Sequence, residues 1–249
     1  MNNIATIEKL NIMKLYGMAE AFRTIYETNQ VKDLTIDELL AYLVDSEYDD
    51  KSNRKIKRLI KQAKFKYNTY FQQIDFNTDR TIDKNLILRL RTCNWIKERK
   101  NIIISGPTGV GKSFIASALG HTACENKYKV LYSNSQKLFG TLLMSKADGS
   151  YEREINKIKN KELFILDDFG LKHLNVDERL SLLEIIEDRN QSSSTIIISQ
   201  VPVNKWHEVI GDETIGDAIC DRLLNNSYKI TMKGKSLRGK VCKPDKFYK

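Results

Sequence analysis

The chain is 249 residues long, 41% apolar and 29% charged, with a formal net charge of +9; this is the balance of a globular protein with apolar mass for one large or two small domains. No apolar run approaches the ~20 residues of a membrane span, and no signal-peptide segment opens the chain, so a cytoplasmic protein with no membrane partner is expected. Cys93, Cys124, Cys220 and Cys242 form no C-x-x-C pair and His121, His173 and His207 are scattered, which argues against a disulfide framework or a zinc site. The charge is unevenly spread: residues 1–100 carry 19 Lys and Arg against 14 Asp and Glu, residues 101–228 carry 14 against 17, and residues 229–249 carry 8 against 1. Basic flanks around a mildly acidic centre point to a polyanion bound outside that centre.

In chain order, Ile7, Leu10, Ile12, Leu15, Met18 and Phe22 have helical spacing, which predicts a helix over about 4–28. Thr35 followed by Glu38 is a capping-box signature for a second helix containing Leu39, Leu40, Leu43 and Val44. A third is predicted from about Asp50 to Tyr67, with Ile56, Leu59, Ile60 and Ala63 as its apolar stripe. That third segment holds Lys51, Arg54, Lys55, Lys57, Arg58, Lys61, Lys64 and Lys66, with no acidic residue after Asp50. Eight cations in sixteen residues exceed what solubility requires, and contact with DNA phosphates is their natural use. Phe65, Tyr67, Tyr70, Phe71 and Phe76 follow; base stacking is open to them, and core packing is the simpler role for most.

Beyond residue 100 the texture changes to short β-branched runs, 101–105, 129–133, 163–167, 195–199 and 228–232. Helical stretches separate them at about 113–126, 135–145, 151–159, 177–190 and 214–225. The alternation predicts an α/β domain with a five-stranded parallel sheet, preceded by a small all-helical region. We place the helical region at 1–77, the α/β domain at 78–232, and a basic tail at 233–249 that orders only on a partner.

Residues 106–113 read Gly106-Pro107-Thr108-Gly109-Val110-Gly111-Lys112-Ser113, a complete G-x-x-x-x-G-K-S phosphate loop between a predicted strand and a predicted helix. Glycines let backbone N–H groups turn onto a polyphosphate, and the helix presents its positive end to the same anion. Lys112 is expected on the β and γ phosphates of ATP and Ser113 on Mg²⁺. Leu163-Phe164-Ile165-Leu166 ends in Asp167-Asp168, which delivers Asp167 to the metal and Asp168 to the attacking water. The strand over 195–199 ends in Ser199-Gln200; either could bond that water or the γ-phosphate if this strand lies between the two motif strands, and spacing does not choose between them.

From GPTGVGKS through FILDDFG, SQVPVNKWHEVIGD, AICDRL and GKSLR, the chain resembles the IstB family of transposition-helper AAA+ ATPases, of the DnaA/DnaC/IstB clade. LYGMAEAF, IDELLAYLVDSE and AKFKY…FQQIDF resemble that family's helical N-terminal region. The resemblance implies a P-loop AAA+ core in which ATP sits between neighbouring subunits of a homo-oligomer. It implies Arg222 as a finger acting on the neighbour's γ-phosphate, Arg238 as the second sensor within its own subunit, and Ser199-Gln200 as the first sensor. It further implies double-stranded DNA and a cognate transposase as partners. Asp168 stands where many AAA+ enzymes carry glutamate.

Two rivals share the ATP machinery. A DnaC-type helicase loader would grip single strands and a replicative helicase, whereas a small-molecule kinase would need a substrate pocket and a lid. The paired carboxylates and late arginines favour water as the phosphoryl acceptor over a metabolite.

Overall fold

The computed structural model describes residues 3–28, 34–76, 82–234 and 236. The chain divides into two compact units, Met1–Arg58 and Leu59–Lys249. In the first, α1 (Asn3–Ile12) and α2 (Tyr16–Glu27) replace the single helix expected over 4–28. The break is at Lys14, which has φ +61° while the Leu15 N–H reaches back to the Leu10 carbonyl. Glycine normally announces such a left-handed helix end, and lysine does not. Thr35 and Glu38 exchange the reciprocal bonds of the capping box, at 2.8 and 3.3 Å, and open α3 (Ile36–Ala63). The two helices expected from 35 and 50 are therefore one. No glycine or proline interrupts 44–50, and the ion pairs Glu47–Lys51 (3.3 Å) and Asp50–Arg54 (2.7 Å) span the expected gap at i,i+4. Gly17 of α2 lies against the Ser46–Glu47 backbone so closely that a Cβ there would overlap it.

In the second unit, β1 (Asn101–Ser105), β2 (Val130–Asn134), β3 (Leu163–Phe169), β4 (Ser194–Ser199) and β5 (Ser227–Thr231) form one parallel sheet in the order β2-β3-β4-β1-β5. The five-stranded α/β architecture expected from the sequence is present. Five of its helices also fall where they were expected: α6 (Lys112–Glu125), α7 (Ser135–Ala147), α8 (Tyr151–Lys159), α9 (Val176–Arg189) and α11 (Glu213–Leu224). The short α4 (Lys84–Leu90), α5 (Asn94–Lys97) and α10 (Trp206–Ile210) were not expected. Successive isoleucines face opposite sides. Ile102, Ile104, Ile165, Ile196 and Ile198 pack with α6 in one apolar cluster, and Ile103, Phe164, Leu166 and Ile197 pack in another with α7, α8, α9 and α11. Burial on both faces is why these strands read as unbroken apolar runs. Leu59, Ala63, Phe71 and Ile74 are buried in the first of these clusters, in keeping with a division into compact units at Arg58–Leu59.

One buried cation ties α8 and the turn after it to β4. Arg189, 2% exposed, donates to Thr195 Oγ1 (3.1 Å) and to the carbonyls of Ile158 (2.8 Å), Lys161 (2.9 Å) and Ser194. Burial pulls its pKa down to about 9, which leaves it charged at neutral pH. Three carbonyls from the ends of α8, the following turn and β4 thus share one guanidinium. Arg189→Met should strand them at about 1–3 kcal/mol each, for a loss of at least ~3 kcal/mol. The check is a lowered denaturant midpoint at unchanged slope.

Candidate functional site

β1 ends at Ser105, and residues 106–111 loop over to the first turn of α6. Gly106 (φ +149°) and Gly109 (φ +82°) hold conformations that L residues avoid, and a Cβ on either would overlap Met232 or Ser236. The loop therefore needs glycine for its shape and for the close approach of its neighbours. Lys112 Nζ donates to the carbonyls of Gly106 and Pro107, both at 2.8 Å, and so folds over its own loop. Val110 is fully buried beneath it, while Pro107 and Thr108 are exposed. Ser113 Oγ, one residue into α6, donates to Asp167 Oδ1 at 3.0 Å. The phosphate loop and the carboxylate strand, 54 residues apart in sequence, are thus joined by a hydrogen bond.

Asp167 has no exposed surface, and its neutralisation draws on four elements. Besides Ser113, it accepts from the Tyr132 hydroxyl of β2, from the backbone N–H of Asp168 (2.8 Å) and from Lys66 Nζ (3.2 Å). Burial pushes the Tyr132 hydroxyl pKa well up, and the bond to Asp167 adds to it. For Lys66 burial works downward, but the Asp167 carboxylate, helped by Asp168, outweighs it and raises the ammonium's pKa. Asp168 sits at φ +60°, where β3 loses register with β4 between Leu166 and Phe169. This bulge turns the second carboxylate out of the strand. There it accepts from Asn134 Nδ2 (2.8 Å) and from Lys66 Nζ (3.4 Å). Asn134 does two jobs, because its Oδ1 also caps the N-terminus of α7.

β4 lies between β1 and β3, which meets the condition set for the Ser199-Gln200 pair. The structure separates the two residues. Ser199 is fully buried, donating to the Phe169 carbonyl (2.9 Å) and accepting from the Val201 N–H (3.0 Å). Gln200 is half-buried and makes no side-chain hydrogen bond among the described residues. Arg222 is not brought to this site. On α11, its guanidinium bonds the Ala218 carbonyl (2.9 Å) and Glu187 (2.8 Å), and its own carbonyl is 3.4 Å from Asn101 Nδ2 at the start of β1. The phosphate loop leaves the other end of that strand. Arg238 lies outside the described residues.

The basic set is also divided. In the first unit Lys51, Arg54, Lys55 and Arg58 line an open cavity of about 350 Å³ together with Lys14, which sequence spacing did not single out. Arg54 also pairs with Asp50 and Glu47 (2.7 and 3.5 Å) and covers the Tyr16 ring. Lys57 is exposed, as are Lys61 and Lys64 in the second unit. Lys66, counted with them from the sequence, instead turns onto Asp167 and Asp168. Of the aromatics that follow α3, Phe71 is buried and Phe65 packs half-buried on His121, whereas Tyr70 and Tyr67 touch His121 and Phe114 from exposed positions.

Sequence reasoning missed Tyr132, Asn134 and Lys14. For Asn134 a signal existed, a polar residue closing an apolar strand just before a helix; its register opposite Asp167 is visible only in the sheet. Among the described residues no group of three or more His, Cys, Asp or Glu could hold a metal. The donors here suit Mg²⁺ nonetheless: the Ser113 hydroxyl and the Asp167 carboxylate are hard oxygens, and that ion takes few protein ligands beside phosphate and water.

Asn134→Ala should lower folding stability by about 1 kcal/mol through the lost cap and alter nucleotide turnover by releasing Asp168. Asn134→Ser keeps a capping oxygen but is too short to reach Asp168, so thermal unfolding should recover and turnover should not.

Residues 8–243 match the family model of the IstB-like ATP binding protein. The chain is 41% identical over 233 residues to the insertion-sequence ATP-binding protein y4pL of Sinorhizobium fredii (strain NBRC 101917 / NGR234), covering 94% of this chain and 95% of that protein. It is 28% identical over 229 residues to the IS21 ATP-binding protein of Pseudomonas aeruginosa, covering 92% and 86%. Among solved structures, DnaI aligns with a TM-score of 0.56 at 18% identity over 71% of this chain and 93% of that one. DnaA bound to AMPPCP and single-stranded DNA aligns with a TM-score of 0.50 at 19% identity over 58% and 45%. At such identities the likeness is one of fold. The phosphate loop and the buried strand-end aspartate bonded to it both lie within the matched residues, and with a family match over nearly the whole length the chain belongs to the IstB-like ATP-binding proteins.

Proposed function

We propose that the protein is a Mg²⁺-dependent, DNA-stimulated ATPase that serves as a cytoplasmic transposition helper, selecting duplex target DNA and stimulating a partner transposase. The observation that carries this reading is the 41% identity to an insertion-sequence ATP-binding protein across 94% of the chain. In it residues 1–77 contact DNA and partner, 78–232 hydrolyse ATP, and the basic stretch 233–249 brings Arg238 to the nucleotide of its own subunit. Lys112 would exchange the loop carbonyls for the β and γ phosphates, and Ser113 and Asp167 would hold the metal, which would supply charge neutralisation at the transferred phosphoryl. Asp168 orients the attacking water. Gln200 is the better first-sensor candidate, since the Ser199 hydroxyl is already committed to the Phe169 carbonyl and the Val201 N–H.

Action of Arg222 in trans is supported by its position at the start of β1, the strand whose far end carries the loop. A half-exposed ion pair such as Arg222–Glu187 is worth about 0–1 kcal/mol and is readily given up to a neighbour's phosphate. The cavity lined by Lys14, Lys51, Arg54, Lys55 and Arg58 supports phosphate contact without base readout. The likeness to DnaI is one of fold and does not favour a helicase loader; strong preference for single strands, together with helicase binding, would.

The deciding measurement is ATPase rate against protein concentration with and without duplex DNA, which should rise cooperatively with both; a rate linear in protein and indifferent to DNA would refute the reading. Arg222→Ala should spare ATP binding and cut stimulated turnover by about 10³-fold or more, with retained turnover ruling out trans catalysis. Neutralising Arg54, Lys57, Arg58 and Lys61 should flatten the log–log salt dependence of DNA binding by about 0.9 for each phosphate no longer neutralised, and an unchanged slope would move the DNA site elsewhere.

A further inference from the structure

We propose that Lys66 is a built-in competitor of the catalytic metal: its ammonium neutralises Asp167 and Asp168 before nucleotide loads and must leave when Mg²⁺ arrives. This rests on the Mg²⁺-ATP reading above. Lys66 Nζ lies 3.2 Å from Asp167 Oδ2 and 3.4 Å from Asp168 Oδ2, so one cation bridges the two carboxylates assigned to metal and water. Its side chain keeps 36% exposure, which gives it a path outward. A half-exposed ammonium on a flexible stem is a replaceable counter-ion, unlike a buried guanidinium held by several carbonyls.

The position is built by the backbone, not by chance reach. Lys64, at φ +57°, ends α3 with a left-handed residue and redirects the chain. Phe65 then seats against α6, its ring 4.4 Å from the His121 ring and so close to Gly120 that a Cβ there would overlap it. Tyr67, on the other side, contacts Phe114, also on α6. With both neighbours in contact with α6, the helix that follows the phosphate loop, the Lys66 backbone is placed so that its side chain reaches the carboxylates. Asp167 is a fully buried carboxylate, and Lys66 and a metal held by Ser113 and Asp167 would be alternatives because each would neutralise that carboxylate. While Lys66 holds the site, only the fraction with the ammonium swung out can take metal, which weakens apparent metal affinity by that fraction.

The test uses the full chain without nucleotide and Mn²⁺ as the paramagnetic probe, read by the loss of the free-ion resonance. Lys66→Met, neutral and of similar length, should bind Mn²⁺ at least about 5-fold more tightly than the native protein, a modest coupling between two ligands of one site; Lys66→Arg should stay near native. In thermal unfolding, Lys66→Met should melt lower in chelator and recover with Mg²⁺, while the native protein barely responds. Equal Mn²⁺ affinity in all three proteins, no Mn²⁺ binding by any of them, or a Lys66→Met loss of stability that Mg²⁺ does not restore would overturn the proposal and leave Lys66 a structural tie. A parallel titration of a fluorescent ATP analogue with Mg²⁺ separates the two readings. Failure of the native protein to bind the analogue at any Mg²⁺ concentration would sink the ATPase mechanism, whereas binding with the same Mg²⁺ requirement in all three would sink the role of Lys66 alone.

Discussion

A carboxylate without exposed surface at the end of β3 is the constraint around which the second unit is arranged. Leaving Asp167 unpaired in that position would cost several kcal/mol, so its partners have to come from wherever the fold can supply them. Ser113 arrives on the first turn of α6, Tyr132 on β2, Lys66 on the segment after α3, and the fourth donor is the chain's own next N–H. Each of those elements is held by its own packing, so the oxygen donors around Asp167 come ready-placed for the metal proposed above. A hard divalent ion gains most from such a site, because it tolerates little distortion of its oxygens.

The parallel sheet explains why the chemistry gathers at one edge. When every strand runs the same way, the loops that leave the carboxyl ends of β1, β2, β3 and β4 all open on one side, where the order of strands departs from the order of sequence. The phosphate loop, Asn134, Asp167-Asp168 and Ser199-Gln200 are the four strand ends so collected. The bulge at Asp168 supplies a distinction that a regular strand could not make, since alternation alone would bury one of two successive carboxylates in the opposite apolar layer. A left-handed Asp168 costs about 1–3 kcal/mol and leaves one carboxylate buried and the other partly exposed.

What was legible in the sequence was local. The strand over 101–105 was placed to the residue, because a short isoleucine run between a turn and a glycine loop has few other readings. The Thr35–Glu38 box was legible for the same reason, its two partners being three residues apart. The Lys14 break was not, since lysine gives no warning of a left-handed helix end. Nor was the part played by Lys66, which sat in a run of eight cations that looked uniform. Its partner is 101 residues away, and no periodicity reports such a contact. The commitment of the Ser199 hydroxyl to the Phe169 carbonyl was hidden in the same way, being a tertiary hydrogen bond.

Arg222 sets the remaining condition on how such a molecule works. It stands at the amino end of β1 while the phosphates belong at the carboxyl end, so the two cannot meet within one sheet. If the finger acts at all, it acts on a neighbour, and the contact joins two different surfaces of identical chains. An interface of that kind is heterologous and propagates into a ring or a helical filament instead of closing as a two-fold dimer. In the function proposed above, turnover would then depend on how many neighbours are in place, and a polyanion that lines up several basic helical units would raise that number by raising their local concentration.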